Sequence, residues 1–172
     1  MGIVFPDGTQ DHPTSVIQTV QNRYNTIENY SSGSSTFQDI FNTNITARSN
    51  LSKLLVYFEV HGYNGSSGMD RSFGAQYKIN SGSYVFFGGN TNTYSGMNSS
   101  YQHNNRGDDH IYGYASHFEF LLDNNWSDGD VVNVQMLTIG ENTYYLNQGS
   151  QTAVGSGRFG RGSTRMILQE VI

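Results

Sequence analysis

Four residues able to bind a metal or move protons are gathered in one short stretch of this 172-residue chain: His103, Asp108, Asp109 and His110, within HNNRGDDH. Calcium takes several oxygen ligands from neighbouring residues, whereas paired imidazoles suit a transition metal. The spacing here fits no established ligand pattern. Asp108 and Asp109 are adjacent, so on extended backbone their side chains diverge. They do not make the facing carboxylate pair that glycoside hydrolysis requires. The tripeptide Arg106-Gly107-Asp108 is too short a match to carry a cell-adhesion reading. A solvated loop is the plainer account of the stretch.

The other reactive patterns are missing. There is no G-x-S-x-G turn to raise a nucleophilic serine. The Gly-rich GSGRFGRG at 155–162 lacks the Lys-Ser/Thr that completes a phosphate loop. Its Arg158, Phe159 and Arg161 are of the kind found in RNA-binding tails. The chain as a whole carries a net charge of −5 and only two lysines, Lys53 and Lys78, with no basic patch of the sort nucleic acids select. Cysteine is absent. No run approaches the eighteen or so apolar residues of a membrane helix. The sequence therefore predicts a non-enzyme with no cofactor and no metal, no nucleic-acid partner and no membrane insertion. The residue class best suited to binding is aromatic. Tyr94, Tyr101, Tyr112 and Tyr114 cluster in and beside the polar stretch 90–110, and such rings stack on sugars while their hydroxyls hydrogen-bond. They are the candidates for contact with a host-surface glycan; the plainer alternative is that they pack in a strand and cap the loop.

The scaffold that must position these residues is legible in composition. Asn (18), Ser (20) and Gly (20) make up 58 of 172 residues, and aromatics reach 13%. The first group populates turns, and the second suits pleated, half-buried surfaces, which together describe short strands joined by loops. The clearest strand is SKLLVYFEVHGY. Leu54, Val56, Phe58 and Val60 point one way, and Leu55, Tyr57, Glu59, His61 and Tyr63 the other. Phe118, Phe120 and Leu122 align in YASHFEFLLD, as do Val132, Val134 and Met136 in VVNVQMLTI. Around NSGS, Asn80 and Gly82 supply the turn of a hairpin. STFQDIFNTNIT and NTYYLN read as further strands, and residues 90–110 and 147–163 as long loops outside them. VIQTVQNRYNT at 16–26 is ambiguous, because Val16, Val20 and Tyr24 satisfy both a helix and a strand. The closing TRMILQEVI is apolar on both faces, with Met166, Leu168 and Ile172 beside Glu170 on one and Ile167 and Val171 on the other. A strand of that kind is covered on both sides, by the core and by a second layer or subunit. The fold class predicted is all-β, a single antiparallel sandwich (jelly roll) of about eight strands.

Ahead of it lies GIVFPDGTQ, which reads as a short hairpin turning at Asp7-Gly8. Alone it is marginal. Burial of Ile3 and Phe5 against another subunit or protein, on the order of 1.5–3 kcal/mol each, would hold it. The chain thus divides into an attachment segment, 1–13, and a sandwich domain, 14–172.

Several stretches also resemble a known family. FPDGTQ is similar to an element of bacteriophage tail and virion proteins, close to F-x-DGT-x-Q, with Gln10 here one residue nearer to Thr9. In that family a strand rich in Gln and Val leads to an I-T-x-x-S-x-x-S-K corner, matched by Ile45, Thr46, Ser49, Ser52 and Lys53, and then to LLVYFEV. YYLNQG and STRMILQEVI resemble its last two strands, the latter with Glu two before the end; residues 64–112 resemble nothing in it. Such proteins are common in phages of marine cyanobacteria, and their domains are similar to the trimeric jelly roll of the tumour-necrosis-factor and C1q type. The resemblance implies a homotrimeric virion component, a tail fibre or a capsid decoration, contacting other virion proteins, with Ile167 and Val171 towards the three-fold axis. The alternative is a secreted carbohydrate-binding β-sandwich module. No basic-then-apolar leader is evident at the N-terminus, which favours the first.

Overall fold

A computed structural model of the chain describes residues 15–30, 34–64, 70–87, 100–103, 114–123, 125–140, 143–147 and 162–172. Its elements are all strands: β1 (Val16–Tyr24), β2 (Glu28–Tyr30), β3 (Ser34–Thr46), β4 (Lys53–Asn64), β5 (Asp70–Ile79), β6 (Val85–Phe86), β7 (Ser100–His103), β8 (Tyr114–Leu122), β9 (Val131–Gly140), β10 (Tyr144–Leu146) and β11 (Thr164–Val171). They form two antiparallel sheets. In one, β4 is flanked by β8 on one side and by β11 and β10 end to end on the other, with β1 and β2 outermost; in the other the order is β3-β9-β5, with β6 and β7 sharing the far edge of β5. The described strands therefore occupy eight lanes, four in each sheet. The chain passes repeatedly from one sheet to the other, which is the wrapping of a jelly roll.

The alternation in β4 explains the layering. Leu54, Val56, Phe58 and Val60 are at most 1% exposed, and the intervening Leu55, Tyr57, Glu59 and His61 are half-buried on the outside. Met166 and Leu168 of β11 and Val132, Val134 and Met136 of β9 complete the core with Phe73, Tyr144 and Leu146. The ring of Tyr24 stacks on Phe41 at 5.5 Å, and Phe73 meets Tyr144 edge to face at 5.3 Å. Gly62 faces Tyr144 so closely that a Cβ there would overlap the phenol. At one edge Gln18 and Asn22 of β1 donate to the carbonyls of Thr46 and Asn42 on β3, tying the two sheets together.

Residues 16–24, ambiguous by periodicity, form a strand because β11 pairs with them from Val16↔Val171 to Tyr24↔Thr164. The stretch 90–110, read as one long loop, contains β7, which pairs with Asp70–Phe73. Ser-Tyr-Gln-His carries no apolar alternation, and an edge strand can be recruited by ladder hydrogen bonds alone. β9 also departs from simple alternation. Leu137 and Ile139 point away from the core and are each 1% exposed, and the nearby Phe37 and Phe86 rings lie 5.4 Å apart. The turn after β5 is as expected, with Asn80 at φ 52° and Gly82 N–H donating to the Ile79 carbonyl at 2.9 Å.

Candidate assembly face

The solvent side of the β1-β11-β4-β8 sheet is where accessible apolar surface and unspent charge meet. Cross-strand register builds it row by row. Gln21, Ile167, Tyr57 and Glu119 lie abreast, and Thr19, Gln169, Leu55 and Leu121 form the next row. Ile167, Tyr57, Leu55 and Leu121 are contiguous, and Leu121 is 57% exposed. Directly opposed side chains of this kind are the stabilising units of a sheet surface, yet this group stands in the phase a solvated face would give to polar residues.

One end of the face is charged. Arg165 pairs with Glu59, and His61 Nε2 donates to Glu59 Oε1 at 2.8 Å. The Arg165 guanidinium lies 5.9 Å from the centre of the Tyr57 ring, at the outer range of a cation–π contact. Burial works to raise the Glu59 pKa, but the His61 hydrogen bond and the Arg165 charge outweigh it, and the carboxyl is held below the usual range. Gly162 passes so close to the His61 ring that a Cβ there would overlap it, which helps fix the imidazole.

The remaining polar constellations are spent on the fold. Glu170, 1% exposed, points inward at the turn 47–52. Its carboxylate accepts from the backbone N–H of Arg48 at 2.9 Å and of Ser49 at 3.0 Å, from Ser52 Oγ at 2.6 Å and from Gln18 Nε2 at 2.5 Å. Trp126 Nε1 donates to Ser52 Oγ at 3.3 Å behind it. Burial raises the Glu170 pKa, and these hydrogen bonds more than offset that, leaving it depressed. So the serine-rich corner and the last-strand glutamate, two separate parts of the family resemblance, close on each other as one clasp. Asn147 forms a second. It sits at φ 59°, a left-handed conformation that Asn tolerates. Its Nδ2 donates to the carbonyls of Tyr24 and Thr26, and its Oδ1 accepts from Thr164 N and Oγ1, all within 2.9 Å.

The sequence candidates fall as follows. Ile167 is on the face and half-buried; Val171, on the same side of β11, is 7% exposed in the single chain. Tyr101 and Tyr114 fall on the backbone of β7 and β8. Tyr94 and Tyr112 lie outside the described residues, as do Ile3, Phe5, Asp7 and Gly8, the loop holding Asp108, Asp109 and His110, and the whole segment 1–13. Leu55, Tyr57, Glu59, Arg165 and Leu121 were not singled out as a site by sequence. The available signal was apolar residues in the polar phase of two strands, Leu55 and Leu121.

Fold and face together define the class, an antiparallel β-sandwich of jelly-roll order. No protein-family model matches the chain, and no curated protein matches it. Among solved structures, a chain from the structure of infectious bursal disease virus, Gx strain, is similar at a TM-score of 0.42 and 11% identity. The likeness covers 91% of this chain and 37% of that chain, so this chain spans little more than a third of its length. Similarity at that level carries no conclusion about function.

Proposed function

We propose that this chain is a non-enzymatic structural protein of a phage particle, associating as a homotrimer in a tail fibre or capsid decoration. The observation that carries the assembly part is the contiguous Ile167-Tyr57-Leu55-Leu121 surface on the solvent side of the β4 sheet. Burial of fully exposed side chains of this size yields about 1.5–3 kcal/mol each, an upper figure where a residue is already half covered. The virion part draws on the family resemblance, whose corner and closing strand form a single clasp around Glu170. The most conspicuous carboxylate network is thereby engaged in holding two ends of the fold, not in presenting a reactive group.

Solution mass tests the assembly reading directly. Light scattering should give three times the 19.1 kDa chain mass. Ile167→Asp or Leu121→Asp should reduce it to a single chain while far-ultraviolet circular dichroism stays unchanged. A wild-type protein that remains a single chain at high micromolar concentration would refute it.

A carbohydrate-binding reading is favoured by one feature, on the opposite sheet. Asn133 donates to Asn42 and Asn44, and Gln76 to the buried Gln135, with Tyr84 hydroxyl donating to Asn133 and Lys78 over the Tyr84 ring. Amides with spare donors and acceptors beside an aromatic ring suit sugar hydroxyls. Glycan-array binding lost on Tyr84→Ala would support it.

A further inference from the structure

We propose that Arg23 at the β1 edge of one copy pairs with Glu119 at the β8 edge of the next, so that copies meet head to tail across this sheet. The inference rests on the assembly reading above and specifies how the face is used. Register places Arg23 directly opposite Arg165, and like charges in that position destabilise a strand pair. Arg165 has its counter-charge in Glu59. Arg23 is exposed and has no acidic partner among the described residues. The nearest acid along its own lane, Glu28, already accepts from the hydroxyls of Tyr24 and Tyr30.

Glu119 is the mirror case. It stands opposite Tyr57, exposed, with no cationic partner among the described residues. The next acid on that edge, Asp123, is taken by Lys53 at 2.9 Å. Arg23 and Glu119 share one face but lie three lanes apart, roughly 14 Å at ordinary strand spacing, and offset along the strands besides. One chain cannot join them. The face therefore has a cationic edge, an anionic edge and an apolar row between. Such a surface complements a second copy, cationic edge to anionic edge; repeated head to tail it is a heterologous interface, which forms a ring when its rotation closes. The apolar row supplies affinity, and the charged edges supply register and encounter rate.

The test uses the full chain and sedimentation equilibrium at about 50 mM salt, where such pairs are least screened. Arg23→Glu and Glu119→Arg should each weaken association about tenfold per contact; melting of the single chain should be unchanged in Glu119→Arg and slightly raised in Arg23→Glu, which removes the like-charge opposition to Arg165. The double swap, Arg23→Glu with Glu119→Arg, should restore association to within about threefold of wild type. Wild-type association should also weaken as salt rises, and the salt dependence should be smaller in either single variant. If the single variants associate as wild type does, or the swap stays as weak as they are, the pairing is wrong while the trimer stands. If wild type does not associate at all, the pairing fails together with the reading on which it rests.

Discussion

Glu170 and Glu59 are both carboxylates held below their usual pKa range, and they do opposite things. Glu170 is buried and accepts from two backbone N–H groups, a serine hydroxyl and a glutamine amide. Its donors are neutral dipoles, three from the turn 47–52 and one from Gln18 of β1. Glu59 is half-buried on the outer face and is held by side chains, the Arg165 guanidinium and the His61 imidazole. Neutral donors arranged around a buried charge fix a single local structure, because each loses its partner if the turn moves. Side chains around a half-buried carboxylate are set by their rotamers and not by the backbone, so a partner can engage them without moving the fold.

The comparison breaks most readily at Glu170. Glu170→Ala leaves Arg48 N–H and Ser49 N–H without their acceptor, while Ser52 Oγ and Gln18 Nε2 keep the carbonyls of Ser49 and Thr46. The expected loss is about 3–5 kcal/mol, measured by chemical denaturation of the single chain under conditions where it does not associate. A loss under about 1 kcal/mol would show that the turn holds itself. Acid provides the second test. A carboxyl whose pKa is lower in the folded state than in the unfolded chain stabilises the fold fully above about pH 4.3, its ordinary value. That contribution is lost as pH falls through the folded-state value, because the unfolded chain then binds more protons. Wild-type stability should thus decline below about pH 4, and the decline should flatten in Glu170→Gln. The smallest effect belongs to Glu59. Glu59→Gln should cost about 1 kcal/mol in the single chain, since the amide keeps one oxygen acceptor and the Arg165 side chain is 33% exposed. A cost as large as that at Glu170 would erase the distinction between a clasp and a face.

Parts of this were legible in the sequence for a physical reason. A strand with one buried side must alternate, and LLVYFEV and VVNVQM do, so β4 and β9 could be drawn without a structure. Asn80 and Gly82 marked their turn by conformational preference. Legibility failed where no local rule operates. Val16, Val20 and Tyr24 satisfy two periods at once, and pairing with β11 chose between them. β7 is polar throughout and exists as a partner of β5. Leu137 and Ile139 are buried on the side of β9 that alternation assigns to water. Ser52 and Glu170 are 118 residues apart, and no pattern in either stretch announces that one will hold the other.

What the chain's sequence determined by itself was therefore the class of element and its inward face, because pleating and turn chemistry are properties of a few consecutive residues. Which strands became neighbours was decided only by the tertiary structure. Pairing register put Arg23 against Arg165 and Glu119 against Tyr57, and it brought Leu55 and Leu121 into one apolar surface. Those neighbours come from distant parts of the chain, and their meeting depends on the whole sandwich burying its core at once.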